Sequence, residues 1–167
     1  MEEIHEIRKK RRTLQETMNF MAALSAGIEP ILGRGANSMT MSAGRNLGRK
    51  FSESAAKTDD LLTAVDEVRR VLEENNCLWG FEPFKPKSQA ELITVNEQGE
   101  RELLIIFKDC MIRQSLFRFG HPQQGSLCNM MYGFFAGALE NIMGKKAKLD
   151  IKHAGQNACL KVLTVAA

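Results

Sequence analysis

The sequence lacks the features that mark a membrane-spanning or secreted protein. No apolar run approaches the roughly 20 residues that cross a bilayer, and residues 1–12 lack the apolar core of a secretory signal. The four cysteines form no CxxC pair, which favours reduced thiols over a disulfide framework. We therefore expect a cytoplasmic protein with no transmembrane segment.

Motifs of common catalytic sites are also missing. The glycine-rich stretch over residues 33–48 contains no GxxxxGK phosphate-binding pattern, and the chain has no GxSxG or HExxH motif. The histidines, His5, His121 and His153, lie far apart in sequence. The net charge of +3, from 23 basic and 20 acidic side chains, is too small to indicate a nucleic-acid partner. These absences favour a non-enzymatic protein that does not bind nucleic acid.

The sequence does contain enough apolar material for one folded domain. Its 167 residues are 44% hydrophobic and 26% charged, as in ordinary globular proteins. Residues 2–27 space their apolar side chains mostly by three, four or seven, which predicts an amphipathic helix. Because the charged first half of this helix would project from a small domain, we interpret residues 1–27 as a dimerisation arm. Residues 28–167 then form a single domain.

Two further helices are predicted in the N-terminal half. Pro30 and Gly33 predict a turn after the first helix, because proline removes a hydrogen-bond donor and glycine disfavours a helix interior. Helical spacing returns over residues 36–54. A third helix is expected over residues 58–76, with Thr58 as its N-cap.

The C-terminal half contains the alternating patterns of β-strands. A helix is expected over residues 109–119 and another over residues 126–143, which Ser126 caps and Gly144 ends. Because each strand pair is joined by a short link, the fold class is α+β. An antiparallel sheet of about four strands is covered by helices and follows an N-terminal helical half. Candidate strands lie around residues 79–86, 91–96, 103–107, 147–153 and 158–165.

The helix over residues 126–143 is apolar on most of its circumference, which places it at the centre of the fold. Within it, Gly133 and Gly137 share one face beside flexible methionines and aromatic rings. Such a face is either a packed interface or the wall of a pocket for an apolar ligand, and packing is the simpler explanation. The candidate pocket residues are Trp79, Phe81, Phe107, Met130, Met131, Gly133, Phe134 and Gly137.

Part of the sequence resembles a known family. The segment GSLCNMMYGFFAGAL is followed by residues 149–165, in which Gly155 lies four residues before Cys159. Together they resemble the C-terminal half of the 4-vinyl reductase, or hydrocarbon-binding, domain. Residues 107–110 are similar to the strand end that precedes this helix in the family, and the N-terminal half agrees more loosely.

The resemblance implies a helical layer on an antiparallel sheet, enclosing a pocket for small apolar molecules. Domains of this family are often dimeric through N-terminal helices. The fold is shared with subunits of the TRAPP vesicle-tethering complex and with phenol-sensing domains of bacterial activators, and is a ligand-binding fold of the nitric-oxide-signalling and Golgi-transport type. Because one fold hosts many functions, the resemblance does not identify a ligand.

The cysteines bear on a metal site that the resemblance implies. Zinc-containing relatives hold the metal with the helix-opening cysteine and with a glutamate and two cysteines around the final hairpin. Here Ile151 stands in place of one of these cysteines and Lys148 stands near the place of the glutamate. Buried structural thiols are therefore favoured over zinc, and the cofactor is otherwise unknown. A substitute tetrahedral zinc site would need Cys110, Cys128, His153 and Cys159.

These observations leave three functions open. The first is non-enzymatic binding of a hydrocarbon, acyl chain or tetrapyrrole-like molecule in a homodimer, for sensing or carriage, with any signal passed to a separate effector protein. The second is a dimeric scaffold or assembly factor whose pocket is filled by its own side chains. The third, suggested only by the family name, is an accessory protein of chlorophyll or bacteriochlorophyll synthesis.

Overall fold

Four helices and a five-stranded antiparallel sheet make up the described part of the chain. The helices are α1 (Glu2–Leu32), α2 (Gly35–Phe51), α3 (Leu61–Glu74) and α4 (Ser126–Met143). The strands are β1 (Gly80–Pro83), β2 (Ile93–Val95), β3 (Arg101–Lys108), β4 (Ala147–Ala154) and β5 (Ala158–Val165). The computed structural model describes residues 2–33, 35–75, 79–108, 110, 112–113, 116, 123–155 and 158–167, and the α1 side chains of Arg12 and from Gln15 onward.

The sheet has the order β1-β3-β5-β4, and β2 also pairs with β3. β1 pairs with the end of β3, where Phe81 lies opposite Phe107, and β2 pairs with its start, where Ile93 lies opposite Leu103. The five strands therefore form a sheet only four strands wide. β1 ends at Pro83 on the sheet edge, where the missing amide costs no central ladder bond. The predicted α+β class with an antiparallel sheet is confirmed.

The hydrophobic core lies between α4, the sheet and α3. α4 is buried on nearly all sides because apolar and small residues occupy almost its whole circumference. Phe135 and Leu139 of α4, Ile105 of β3 and Val68 of α3 are fully buried in one core cluster. This arrangement places α4 at the centre of the fold, as its composition predicts.

α2 and α4 contact each other through four glycines, two from each helix. A Cβ atom added to any of the four would overlap a backbone carbonyl oxygen of the opposite helix. Gly137, for example, lies directly against the carbonyl group of Arg45. The absence of side chains therefore allows the two backbones to touch. The four residues are Gly44 and Gly48 on α2 and Gly133 and Gly137 on α4.

The first helix is longer than the sequence predicts. α1 continues through Pro30 to Leu32 instead of ending before the proline. The missing amide of Pro30 falls in the last turn, where it removes only one intrahelical hydrogen bond. Gly33 ends the helix with a φ of +52°, a left-handed conformation that glycine adopts without strain. The predicted turn is thus present, but it begins at Gly33.

The N-termini of α3 and α4 also differ from the prediction. The cap of α3 is Asp60 and not Thr58, and the Asp60 carboxylate accepts a hydrogen bond of 2.8 Å from the Thr63 amide. The expected cap of α4, Ser126, is its first helical residue. The Ser126 amide donates a 2.7 Å hydrogen bond to the carboxylate of Glu29 in α1. A residue distant in sequence thus supplies the cap.

Some predictions fall where the structure describes few residues. Within the helix predicted over residues 109–119, Ile112, Arg113 and Leu116 are helical, and the others, apart from Cys110, lie outside the described residues. Cys77 and His121 lie outside them as well. No helix in the described ranges is long and apolar enough to cross a membrane.

Candidate functional site

Five aromatic rings pack together where α4 meets β1 and β3. Phe81 and Phe107 face each other across the strand pair with ring centroids 5.4 Å apart, and Phe135 lies 4.9 and 5.2 Å from these two rings. Trp79, just before β1, lies 5.7 Å from Phe134 and 6.0 Å from Phe135. We call these five residues the aromatic cluster. Such contacts contribute roughly 0.5–1.5 kcal/mol per pair beyond the burial of area.

The structure divides the predicted pocket residues between three places. Met131 is buried beside Lys161 of β5, and Met130 is half-buried with its carbonyl group against α2. Gly133 and Gly137 also lie against α2, so that helix fills the groove predicted beside them. The remaining four belong to the aromatic cluster: Trp79, Phe81, Phe107 and Phe134.

Lys161 is a buried charge at the edge of the aromatic cluster. The residue is 2% exposed, and its Nζ atom lies 4.2 Å from the ring centroid of Phe107 and 4.3 Å from that of Tyr132. The ammonium group also donates a 3.7 Å hydrogen bond to Sδ of Met131. The two rings partly replace the lost water through cation–π attraction. No carboxylate among the described residues pairs with Lys161, and burial lowers its pKa to about 8.

Three buried thiols lie close enough to act electrostatically on Lys161: Cys110, Cys128 and Cys159. Burial raises the pKa of Cys128 and of Cys159 above the usual thiol value. These two thiols therefore stay protonated near neutral pH and do not neutralise the ammonium group. Lys161 sits among polarisable sulfur atoms and aromatic rings, and no carboxylate in the described part of the chain compensates its charge.

The residues considered for a substitute zinc site do not form a metal-binding group within the described ranges. Cys110, Cys128 and Cys159 are buried, whereas His153 is exposed near the end of β4. Within the described ranges, no group of three or more cysteine, histidine, aspartate or glutamate side chains could hold a metal ion. Lys148 is exposed and forms a 2.7 Å ion pair with Asp150.

Two polar atoms beside the aromatic cluster and Lys161 are buried without an oxygen or nitrogen hydrogen-bond partner among the described residues. They are the indole Nε1 of Trp79 and the hydroxyl oxygen of Tyr132. Leaving such an atom unpaired costs about 1–3 kcal/mol. Burial raises the pKa of the Tyr132 hydroxyl, so this group stays protonated and can donate a hydrogen bond. A ligand that supplies acceptor atoms would satisfy both groups.

A cleft of about 840 Å³ opens between α2, α4 and β4. Tyr132 and Ala136 of α4 and Leu149 of β4 provide apolar surface in it. Tyr132 therefore contacts Lys161 inside the domain and also lines the cleft. The three acidic side chains of the lining are outnumbered by five basic ones: Arg45, Arg49, Lys145, Lys146 and Lys148.

The arrangement of helices and strands is similar to that of a known sensory domain. The match is to the crystal structure, with phenol, of the phenol-responsive sensory domain of the transcription activator PoxR. The TM-score is 0.65 with 17% sequence identity, over 89% of this chain and 73% of that one. The chain shares the fold of that domain.

At 17% identity, the likeness to PoxR concerns the fold alone. The sequence matches no protein-family model and no curated protein. The predicted relation to phenol-sensing domains is therefore confirmed at the level of fold. Membership of the 4-vinyl reductase family stays a prediction.

Sequence reasoning missed Lys161 although a signal for it was present. In β5 every second residue is buried, and Lys161 stands in this row with Cys159, Leu163 and Val165. A lysine in the apolar register of a strand indicates an unusual buried charge. Tyr132 was also missed, because a tyrosine inside an apolar helix is indistinguishable by pattern from a core aromatic residue.

Proposed function

We propose that the protein binds a small apolar molecule at the aromatic cluster, without transforming it chemically, in sensing or carriage. The observation that carries this proposal is the Trp79 indole N–H group, which is buried beside Phe134 and Phe135 and has no hydrogen-bond partner among the described residues. An apolar ring or chain with one acceptor atom would pack on the rings and accept this hydrogen bond. The phenol-responsive domain with a similar fold supports a ligand of this size.

Calorimetric titration with phenol, benzyl alcohol and toluene tests this function, and native mass spectrometry of the purified protein checks for a retained organic molecule. We expect phenol and benzyl alcohol to bind and to raise the melting temperature, because a ligand that binds only the folded state stabilises it by about 2.7 kcal/mol at 100 times its Kd. In Trp79→Phe, their affinities should fall up to about tenfold through the lost hydrogen bond. Toluene, which has no acceptor, is the matched control and should be unaffected.

A protein that binds none of the three compounds and carries no organic mass would contradict the proposal. That outcome would favour the second candidate function, a dimeric scaffold whose aromatic cluster is simply core. The scaffold has support of its own from the exposed surface of α1.

Four apolar side chains recur along one side of α1 with a helical period. Phe20, Leu24, Ile28 and Ile31 are 67%, 44%, 40% and 82% exposed, and we call them the α1 apolar face. Among the described α1 side chains, only Ala22 and Ser25 are buried against the domain. We propose that the α1 apolar faces of two copies pack together about a two-fold axis, since such a surface is self-complementary. The protein would then be a homodimer.

The two proposals are compatible because α1 contacts the central helix. Ser25 and Glu29 of α1 both bond to Ser126, the first residue of α4. Ligand binding against α4 would thus change the position of the dimerisation helix α1. A separate effector protein could recognise this change. The three free, buried thiols suit the reducing cytoplasm, where we place this activity.

A further inference from the structure

The charge of Lys161, which no carboxylate among the described residues compensates, indicates the kind of ligand that this site would take. A buried ammonium group without a counter-charge is destabilising, because the aromatic rings and the thioether of Met131 recover only part of its lost hydration. The Tyr132 hydroxyl, on the ring that packs against the same ammonium group, lies beside the Cys128 thiol and has no oxygen or nitrogen acceptor among the described residues. Both groups donate hydrogen bonds, so the missing element beside them is an acceptor.

An anionic acceptor suits this position better than a neutral one. A carboxylate would form a charge-assisted hydrogen bond with Lys161 and a second hydrogen bond with Tyr132. The thiols of Cys128 and Cys159 do not supply this charge themselves, because burial keeps them protonated. The excess of basic side chains in the neighbouring cleft, which Tyr132 also lines, attracts anions toward the site.

We propose that the ligand is an apolar carboxylic acid, whose carboxylate pairs with Lys161 and Tyr132 and whose apolar body packs on Phe107 and the rest of the aromatic cluster. This inference rests on the small-molecule function proposed above and specifies the class of molecule. It requires the ammonium group, the hydroxyl group and the ring face of Phe107 to act together. The Nζ atom lies 4.2 Å from the ring centroid of Phe107 and 4.3 Å from that of Tyr132.

The test compares benzoate with benzyl alcohol, a neutral ligand of similar size. By calorimetry at pH 7, we expect the wild-type protein to bind benzoate at least tenfold more tightly than benzyl alcohol. Lys161→Met keeps most of the side-chain volume and removes the charge, so it should lose this preference and still bind benzyl alcohol. Lys148→Met is the matched control, because it removes an exposed cleft lysine, and it should change benzoate binding less than threefold.

Two further measurements keep the test decisive if Lys161→Met folds poorly. Tyr132→Phe should weaken benzoate binding about fivefold or more, with a smaller effect on toluene. At pH 8, where Lys161 is about half protonated, ion pairing should draw about half a proton per benzoate from solution. Titrations in buffers of different ionisation enthalpy measure this uptake directly.

The outcomes separate this inference from the function on which it rests. The proposal of a carboxylic acid ligand is wrong if benzyl alcohol binds at least as well as benzoate, or if Lys161→Met leaves the benzoate affinity unchanged. The proposed binding of a small apolar molecule is unaffected by either result. If benzoate binding takes up protons at pH 8 and Lys161→Met does not remove this uptake, its carboxylate does not pair with Lys161 and the proposal fails. If no compound binds the wild-type protein, the proposed function fails as well.

Discussion

The carboxylate of Glu29 accepts a 2.7 Å hydrogen bond from the backbone amide of Ser126, although 97 positions separate the two residues. Ser126 opens α4, and its hydroxyl group also lies 2.6 Å from that of Ser25. Gly125, the N-cap residue, has no side chain that could take this role. A carboxylate at a helix N-terminus is stabilised by the free amide groups and by the helix dipole. α1 is thus attached to the domain through the end of its central helix.

Removing this carboxylate should destabilise the fold. Glu29→Ala leaves the first amide of α4 without its acceptor, and we expect the free energy of unfolding to fall by about 1 kcal/mol. Glu29→Gln retains an acceptor oxygen and should lose less. Urea unfolding followed by circular dichroism measures both. Glu16→Ala, which removes an exposed carboxylate from the same helix, is the control and should stay within about 0.5 kcal/mol of wild type.

The glycine contact between α2 and α4 predicts a large and position-specific effect. Gly48→Ala or Gly137→Ala places a methyl group on the backbone of the facing helix, so the two helices must separate. We expect a loss of at least 3 kcal/mol or failure to fold. Gly35→Ala, at the start of α2 with nothing within 4 Å of the added atom, should change stability by less than about 0.5 kcal/mol. Equal effects at Gly35 and Gly137 would contradict the contact.

The buried Lys161 predicts how stability varies with pH. Its pKa in the folded protein is about 8, below the ordinary value of 10.5, so between these values the unfolded chain binds more protons at this site. Stability from Lys161 therefore rises with pH through this window, at up to about 1.4 kcal/mol per pH unit. The raised pKa values of Cys128 and Cys159 act in the opposite direction at higher pH.

Comparison with Lys161→Met isolates this contribution, because the thiols are common to both proteins. We expect the variant to be more stable than wild type at pH 7, where the buried charge is present, and its advantage to shrink by pH 9. Urea unfolding at pH 7, 8 and 9 with a reducing agent gives the difference curve. A difference that is independent of pH would show that Lys161 does not titrate in this range.

The α1 apolar face predicts a concentration-dependent dimer that one charge can dissociate. Phe20→Asp replaces an aromatic side chain by a carboxylate at the proposed interface. Losing such an aromatic contact costs about 2 kcal/mol or more of binding free energy, so the dimer dissociation constant should rise about 30-fold. Sedimentation velocity over a range of concentrations measures this change. Val95→Asp, at a residue that is also 67% exposed but lies on β2, is the control. A monomeric wild-type protein, or a dimer that Phe20→Asp leaves intact, would exclude this interface.

Local patterns were sufficient for most of the secondary structure. The α4 bounds follow from an apolar run that ends at Gly144, and the hairpins follow from alternation on either side of short turns. The prediction failed at helix termini, where Pro30 stays within α1 and Glu29 caps α4. These depend on contacts between distant segments, which propensity and capping rules do not contain.

The candidate site was only partly predictable for the same reason. Trp79, Phe81, Phe107 and Phe134 were identified as large apolar side chains, and the structure gathers them into the aromatic cluster. Gly133 and Gly137 were placed beside a groove, but α2 occupies it, and sequence periodicity does not reveal which helix packs on a given face. In both cases the pattern shows which side chains are buried but not what they contact.

By itself, the sequence determined the fold class, the strand order along the chain and the central position of α4, because hydrophobic periodicity sets which face of each element must be buried. Only the tertiary structure decided that Lys161 is enclosed by Phe107, Tyr132 and Met131. Its burial depends on the β3–β5 pairing and on the packing of α4 across the sheet. The free energy of a buried charge depends on the surrounding atoms, and here these come from β3 and α4, two segments far from Lys161 in the chain.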